Sequence, residues 1–194
     1  TRRIGLGITG LADALVLLGQ RYDSEAARAL AARVMQTLRD AAYRASIDLA
    51  REKGPFPGLD REAFLASGFV SRLPADIRDG IAVHGIRNSH LLAIAPAGTI
   101  SLLANNCSSG IEPLFAVSFV RRVLEGTELV EVHPYFEELA KSRGFFSADL
   151  MKRIAGTGSI RDFQEIPQDL RRLFVTAHEV SPSWHIRLQA AFQK

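Results

Sequence analysis

A single cysteine, Cys107, stands in the 194 residues, which excludes an internal disulfide framework and a thiolate-rich metal site. Such scarcity suits a reducing, cytoplasmic compartment. No apolar run approaches the roughly 18 residues needed to cross a bilayer, and no signal-peptide pattern is readable, so no membrane partner is expected. Charge of one sign is also scarce. The 24 Lys and Arg against 21 Asp and Glu leave +3, compatible with an anionic ligand but far from a nucleic-acid footprint. No basic cluster is interleaved with aromatics in a nucleic-acid pattern. Arg3, Arg87, Arg121 and Arg122 are surface or salt-bridge residues by default, with anion contact as the alternative. The five histidines show no metal spacing: H-x-x-x-H and H-E-x-x-H do not occur, and Pro182 separates His178 from His185.

What is present is a chain able to build a core, 47% hydrophobic and 23% charged. "LADALVLLG" (11–19) predicts a short apolar helix closed by Gly19. Asp23 and Ser24 offer cap oxygens for a long helix reaching about Lys53, with Leu30, Val34, Leu38, Ala41, Ala45 and Leu49 as its core face. Short helices are expected at 60–67, 71–79, 133–143, 147–155, 167–177 and 182–194. "HLLAIA" (90–95) reads as a buried strand ended by Pro96, "GTISLLA" as a short helix, and 115–124 as a strand or extended pair. The class is α/β and helix-dominated, with too few strands for a complete sheet. The chain starts at Thr1 and stops within a helical pattern, so a segment of a longer polypeptide is expected.

"IGLGITGLADAL" spells G-x-G-x-x-G with Gly5, Gly7 and Gly10. A dinucleotide site needs a full strand before it, an open helix N-terminus after it and an acid on a second strand. Only "TRRI" precedes, and Asp23 and Glu25 belong to the next helix. Close backbone packing, where a side chain would not fit, is the better reading, with a ligand-facing turn of another kind as the remaining alternative.

The densest signal is "RNSHLLAIAPAGTISLLANNCSSGIEPLFA" (87–116). After Pro96 come Ala97, Gly98, Thr99, Ile100 and Ser101, small residues and hydroxyls at an expected helix start. Such a turn can cradle phosphate through open amides and hydroxyls, or Thr99 and Ser101 can simply cap the helix. The following loop offers Asn106, Ser108, Ser109 and Glu112 as hydrogen-bonding groups, with Gly110 for a tight turn. Glu112 either anchors the loop or touches a ligand. Cys107 has no base beside it, and His84 and His90 could approach it only through folding.

The segments "RRIGLGITGLADAL", "APAGTISLLANNCSSGIEPLFA" and "SPSWHIRLQAAFQK" together resemble the adenosylcobalamin-dependent (class II) ribonucleotide reductase large chain, along essentially the whole sequence. The resemblance implies that 1–194 is one segment of a ten-stranded α/β barrel domain, the later-middle part. It implies a parent enzyme that makes deoxyribonucleotides by radical chemistry, with adenosylcobalamin, a ribonucleoside di- or triphosphate and a thioredoxin-like reductant as cofactor and partners. The family's P-T/A-G-T-I-S loop holds substrate phosphate, and maps onto Pro96, Ala97, Gly98, Thr99, Ile100 and Ser101.

The departures are equally informative. The family's N-x-C-x-E finger is missing: in "NNCSSGIE", Ser109 stands where Glu is required. Cys107 is therefore not assigned the radical, and one cysteine cannot form a reducing pair. No catalytic residue is assigned. The alternatives are a non-catalytic nucleotide- or phosphate-binding module and a structural remnant. For the isolated chain, self-association through unpaired apolar edges is expected.

Overall fold

In the computed structural model, the structure describes residues 2–105, 108–122 and 128–193. Among these, the order is α1 (Leu11–Leu17), α2 (Glu25–Lys53), α3 (Arg61–Ala66), a 3-10 turn (Val70–Arg72), α4 (Ala75–His84) and α5 (Gly98–Leu103). Then come β1 (Ser118–Arg122), β2 (Glu128–Val132), α6 (Pro134–Ser142), α7 (Ala148–Thr157), α8 (Gln168–Leu173) and α9 (Pro182–Ala191). The fold is α/β and helix-dominated. Packing divides the chain into two compact units, one of residues 2–7 and 32–95, the other of residues 8–31 and 96–193.

Helix α2 begins where its capping chemistry predicts. The Ser24 hydroxyl accepts from the Ala27 amide at 3.1 Å, and Glu25 sits in the first turn against the positive end of the dipole. The expected core face, however, is turned by about one residue. Val34 and Leu49 are exposed, while Met35, Ala42, Ile47 and Ala50 are buried. Reading the phase from the large aliphatics misses that small residues pack closely, and that a polar residue can be buried when it is satisfied. Ser46 is such a residue: its hydroxyl donates to Asn88 Oδ1 at 2.9 Å and accepts from the Asn88 amide at 3.1 Å.

In the first unit, Ala42, Tyr43 and Ile47 of α2 pack with Val70, Leu73, Ile77, Ile81, Ile86 and Leu91. The chain start lies along residues 90–93. Ile4 N–H donates to His90 O at 3.0 Å, Leu6 N–H to Leu91 O at 2.8 Å, and Ala93 N–H to Leu6 O at 2.9 Å. This makes one parallel bridge, Leu6↔Leu92, rather than the buried strand expected at 90–95. Leu91 is buried there, but Ala93 to Ala95 are exposed. The pairing explains two of the opening glycines. A Cβ on Gly7 would lie 2.4 Å from the Ala93 carbonyl oxygen, and one on Gly5 would lie 2.8 Å from Ala93 Cβ. The backbones come too close for any side chain.

In the second unit, β1 and β2 pair antiparallel, with Ser118 opposite Val132 and Arg122 opposite Glu128. Helix α7 packs on both strands. Ser118 is fully buried, and its hydroxyl lies 2.9 Å from Glu131 O and 3.1 Å from Met151 O. Phe136 and Phe174 meet edge to face at 5.2 Å in a core shared with Ile154, Ile160, Ile166 and Leu170. Arg121 pairs with Glu131 and Arg122 with Glu128, the salt-bridge role expected of them.

The close approach at Gly7 is directly testable. Gly7→Ala should destabilise by about 1–3 kcal/mol, because a backbone carbonyl cannot move aside as a flexible side chain can. Gly68→Ala, with open space at its Cβ, should stay within about 0.5 kcal/mol of wild type. Urea denaturation of the two variants checks the contrast, and equal effects would refute the packing explanation.

Candidate functional site

The second unit joins two sequence-distant turns by a polar lock. Gly10, with φ of 79°, precedes α1 and has no side chain to cap it. The Ser108 hydroxyl supplies the cap from 96 positions away, accepting from Ala12 N–H at 3.1 Å and lying 3.3 Å from Asp13 N. Asp13 reciprocates: Ser108 N–H donates to its carboxylate. Gly10 N–H donates to Ser108 O at 2.8 Å and Leu11 N–H to Gly110 O at 3.3 Å. Thr9 Oγ1 donates to Ser108 O at 2.9 Å and accepts from Gly110 N–H at 3.1 Å.

These bonds decide the glycine question. In a dinucleotide site the amides at the start of the helix face a pyrophosphate. Here the amides of residues 10 to 13 are taken by Ser108 and Gly110.

The start of α5 is the opposite case. Ala97 adopts the left-handed conformation, φ 55° and ψ 21°, and no side chain caps the helix. For a residue with a Cβ this costs roughly 1–2 kcal/mol, and strain of that kind collects at ligand-binding turns. Ser101 holds the turn from within. Its amide donates to Ala97 O at 2.9 Å, its hydroxyl lies 2.6 Å from the same oxygen, and Thr9 Oγ1 is 3.0 Å away. Ser101 is buried, so its hydroxyl braces the loop. Gly98, Thr99 and Ile100 are exposed, and nothing lies within 4 Å of where a Gly98 Cβ would stand.

A cavity of about 250 Å³ connects the two features, lined by Gly98, Ser101, Ser108, Ser109, Glu112 and His133, with Leu114, Phe115 and Phe119 as apolar walls. Glu112 is exposed, and among the described residues only its backbone amide is bonded, to Ser109 O at 2.9 Å. Ser109 stands 3.5 Å from the Ser101 hydroxyl. Tyr22 donates to Ile111 O at 2.6 Å beneath the loop. Burial, and secondarily the Glu112 charge, push its phenol well above the usual range.

Three residues at this site escaped the sequence reading: Thr9, Asp13 and His133. Asp13 Oδ1 lies 2.6 Å from His133 Nε2; a carboxylate only accepts, so Nε2–H donates. Among the described residues, His133 Nδ1 is buried without a partner. A lone acid in an apolar helix is a signal for Asp13, but its partner stands 120 positions on. Arg87 donates to Lys53 O at 2.7 Å and Gly54 O at 3.0 Å, closing α2, and exposed His90 contacts Ser89. Both belong to the first unit. Asn106 and Cys107 lie outside the described residues.

The family described as "Ribonucleotide reductase, barrel domain" matches residues 1–194. The chain belongs to that family. It is 43% identical over 194 residues to the vitamin B12-dependent ribonucleoside-diphosphate reductase of Mycobacterium tuberculosis, covering 100% of this chain and 25% of that protein. The Thermoplasma acidophilum protein of the same name is also 43% identical, with 100% and 23% covered. A ribonucleoside-diphosphate reductase large subunit from Caenorhabditis elegans is 36% identical over 201 residues, with 97% and 25% covered. The chain thus spans about a quarter of the length of these relatives. Among solved structures, the Actinobacillus ureae class Id ribonucleotide reductase alpha subunit superposes with a TM-score of 0.73 at 22% identity, over 99% of this chain and 31% of that one. That likeness bears on the fold alone, and it agrees with a partial reductase barrel.

The lock predicts unequal effects from adjacent serines. Ser108→Ala removes a helix cap and should cost about 1–2 kcal/mol. Ser109→Ala should cost less than about 0.5 kcal/mol. Thermal denaturation of the two variants checks this, and equal losses would refute the capping role.

Proposed function

We propose that this chain is part of a vitamin B12-dependent ribonucleoside reductase and supplies the turn that holds the substrate's phosphates. The carrying observation is the uncapped start of α5 behind a strained Ala97, opening on a cavity with polar and aromatic walls. Backbone amides of Gly98, Thr99 and Ile100 and the Thr99 hydroxyl are the phosphate donors, with the helix dipole behind them. Ser101 positions the turn rather than meeting the ligand. Glu112 is anionic and repels phosphate, so it serves the other end of the nucleotide, accepting from a ribose hydroxyl. The Asp13–His133 pair fixes the cavity wall. Relatives named as diphosphate reductases support a ribonucleoside diphosphate as substrate.

The relatives' names also support cobalamin for the whole enzyme. The cavity of about 250 Å³ is smaller than sites enclosing drug-sized ligands, about 300–1,000 Å³. No group of three or more His, Cys, Asp or Glu among the described residues is placed to hold a metal ion. These residues do not fit a corrinoid. The net reaction replaces the 2′-hydroxyl by hydrogen, releases water and consumes two electrons and two protons. A dithiol supplying them needs two cysteines, and this chain has one.

Thr99→Val in the full-length reductase should raise KM for the ribonucleotide about tenfold, since a bond to a charged group is worth roughly 1.5–3 kcal/mol. Turnover at saturation should change little. Unchanged KM would remove Thr99 from the phosphate site.

The 194-residue chain by itself should form no deoxyribonucleotide, even with adenosylcobalamin and dithiothreitol. Chromatography of incubations with each ribonucleoside di- and triphosphate checks this. Product above a no-protein control would overturn the assignment of the missing thiols to other parts of the enzyme.

A further inference from the structure

A second concave site lies in the same unit and is built from arginine. A cavity of about 200 Å³ is lined by Arg21, Arg161, Gln168, Arg171, Arg172 and Glu179, with Val175 also lining it. Val175 is buried. Like charges gather in a hollow only at an electrostatic cost, so each guanidinium needs an account of its partner. Arg21 is paired with Asp23. Arg171 donates through Nε to Ile166 O at 3.0 Å and through Nη1 to Arg161 O at 3.3 Å, both neutral acceptors.

Glu179 is the acid in the lining, and its carboxylate is committed elsewhere. It accepts from Thr176 N–H at 2.7 Å, Thr176 Oγ1 at 3.0 Å and Ser159 Oγ at 2.8 Å. Of the three acids between Arg161 and Arg172, Glu165 pairs with Arg153 and Asp169 with Arg143, and exposed Asp162 is not part of the lining. The Arg161 and Arg172 side chains form no ion pair or hydrogen bond among the described residues. Arg161 takes part through its backbone alone.

We propose that this hollow is an anion site for a phosphate group, separate from the α5 turn, with Arg161 and Arg172 as its principal donors and Gln168 and Arg171 beside them. Guanidinium forks match the paired oxygens of a tetrahedral oxyanion and bind them bidentately. The size selects among anions. At about 200 Å³ the hollow is below the roughly 300–1,000 Å³ that encloses a drug-sized molecule. It takes an inorganic phosphate or pyrophosphate, or the phosphate end of a nucleotide whose remainder lies outside.

The test is residue-resolved labelling of the full-length protein with phenylglyoxal, mapped by mass spectrometry across a titration of inorganic pyrophosphate. Arg161 and Arg172 should be protected several-fold, while exposed Arg78, in the other unit, should not. In Arg172→Ala, the pyrophosphate concentration that half-protects Arg161 should rise about tenfold or more, the loss of one charge-assisted contact. Unchanged labelling at other arginines will show that the variant is folded. A nucleoside diphosphate that half-protects at tenfold lower concentration than pyrophosphate makes the source a nucleotide; equal concentrations make it the free inorganic anion. Either result supports the site. Protection at Arg161 and Arg172 no greater than at Arg78, or an unchanged titration in Arg172→Ala, overturns it. Thr99→Val should leave this protection unaltered, which separates the site from the substrate turn.

Discussion

The second unit depends on one side chain reaching another segment's helix. Ser108 caps α1 in place of Gly10, and Asp13 of α1 accepts the Ser108 amide in return. Each partner satisfies a donor the other's backbone leaves open, so neither turn is complete by itself. Because the bonds span nearly a hundred residues, they set where residues 108–112 stand relative to α1. The cavity wall follows from that placement: His133 reaches Asp13, and Ser101 reaches Thr9. Both contacts start from the short stretch between Thr9 and Asp13.

Much of the helical layout was legible because it is local chemistry. Ser24 and Glu25 announce α2, Pro134 starts α6 with Gly144 two residues past its end, and Ser147 caps α7. The failures have a common cause. Periodicity misplaces the burial phase of α2 because Ser46 looks like a surface residue until Asn88 is beside it. Residues 90–95 looked like a sheet strand because they are apolar, yet they pair in one bridge with the chain start. Both outcomes depend on a partner more than forty positions away. Periodicity carries no information about such a partner.

The candidate site divides along the same line. Its turn was visible, because Pro96 and the small residues after it are consecutive and the role proposed for them is a backbone role. Its internal assignment was not. Thr99 and Ser101 look equivalent in "AGTIS", two hydroxyls at a helix start. Folding separates them: Ser101 is buried on the Ala97 carbonyl and beside Thr9, while Thr99 stays exposed. Asp13 and His133 form a pair that no spacing rule encodes.

Two helix starts in one unit show why a glycine pattern alone is a poor guide to phosphate binding. At α1 the pattern is complete, yet Gly5 and Gly7 are there because Ala93 lies against them, and the amides beyond Gly10 are already bonded to Ser108 and Gly110. At α5 the pattern is absent, yet the helix begins uncapped behind a left-handed alanine. What an anion requires is an unsatisfied donor set, and glycine is only one way to expose it. The same serine loop that closes α1 also lines the cavity onto which α5 opens. Capping one helix and leaving the other uncapped leaves the open donors of this pair at α5, which is the ground on which the phosphate turn is proposed there.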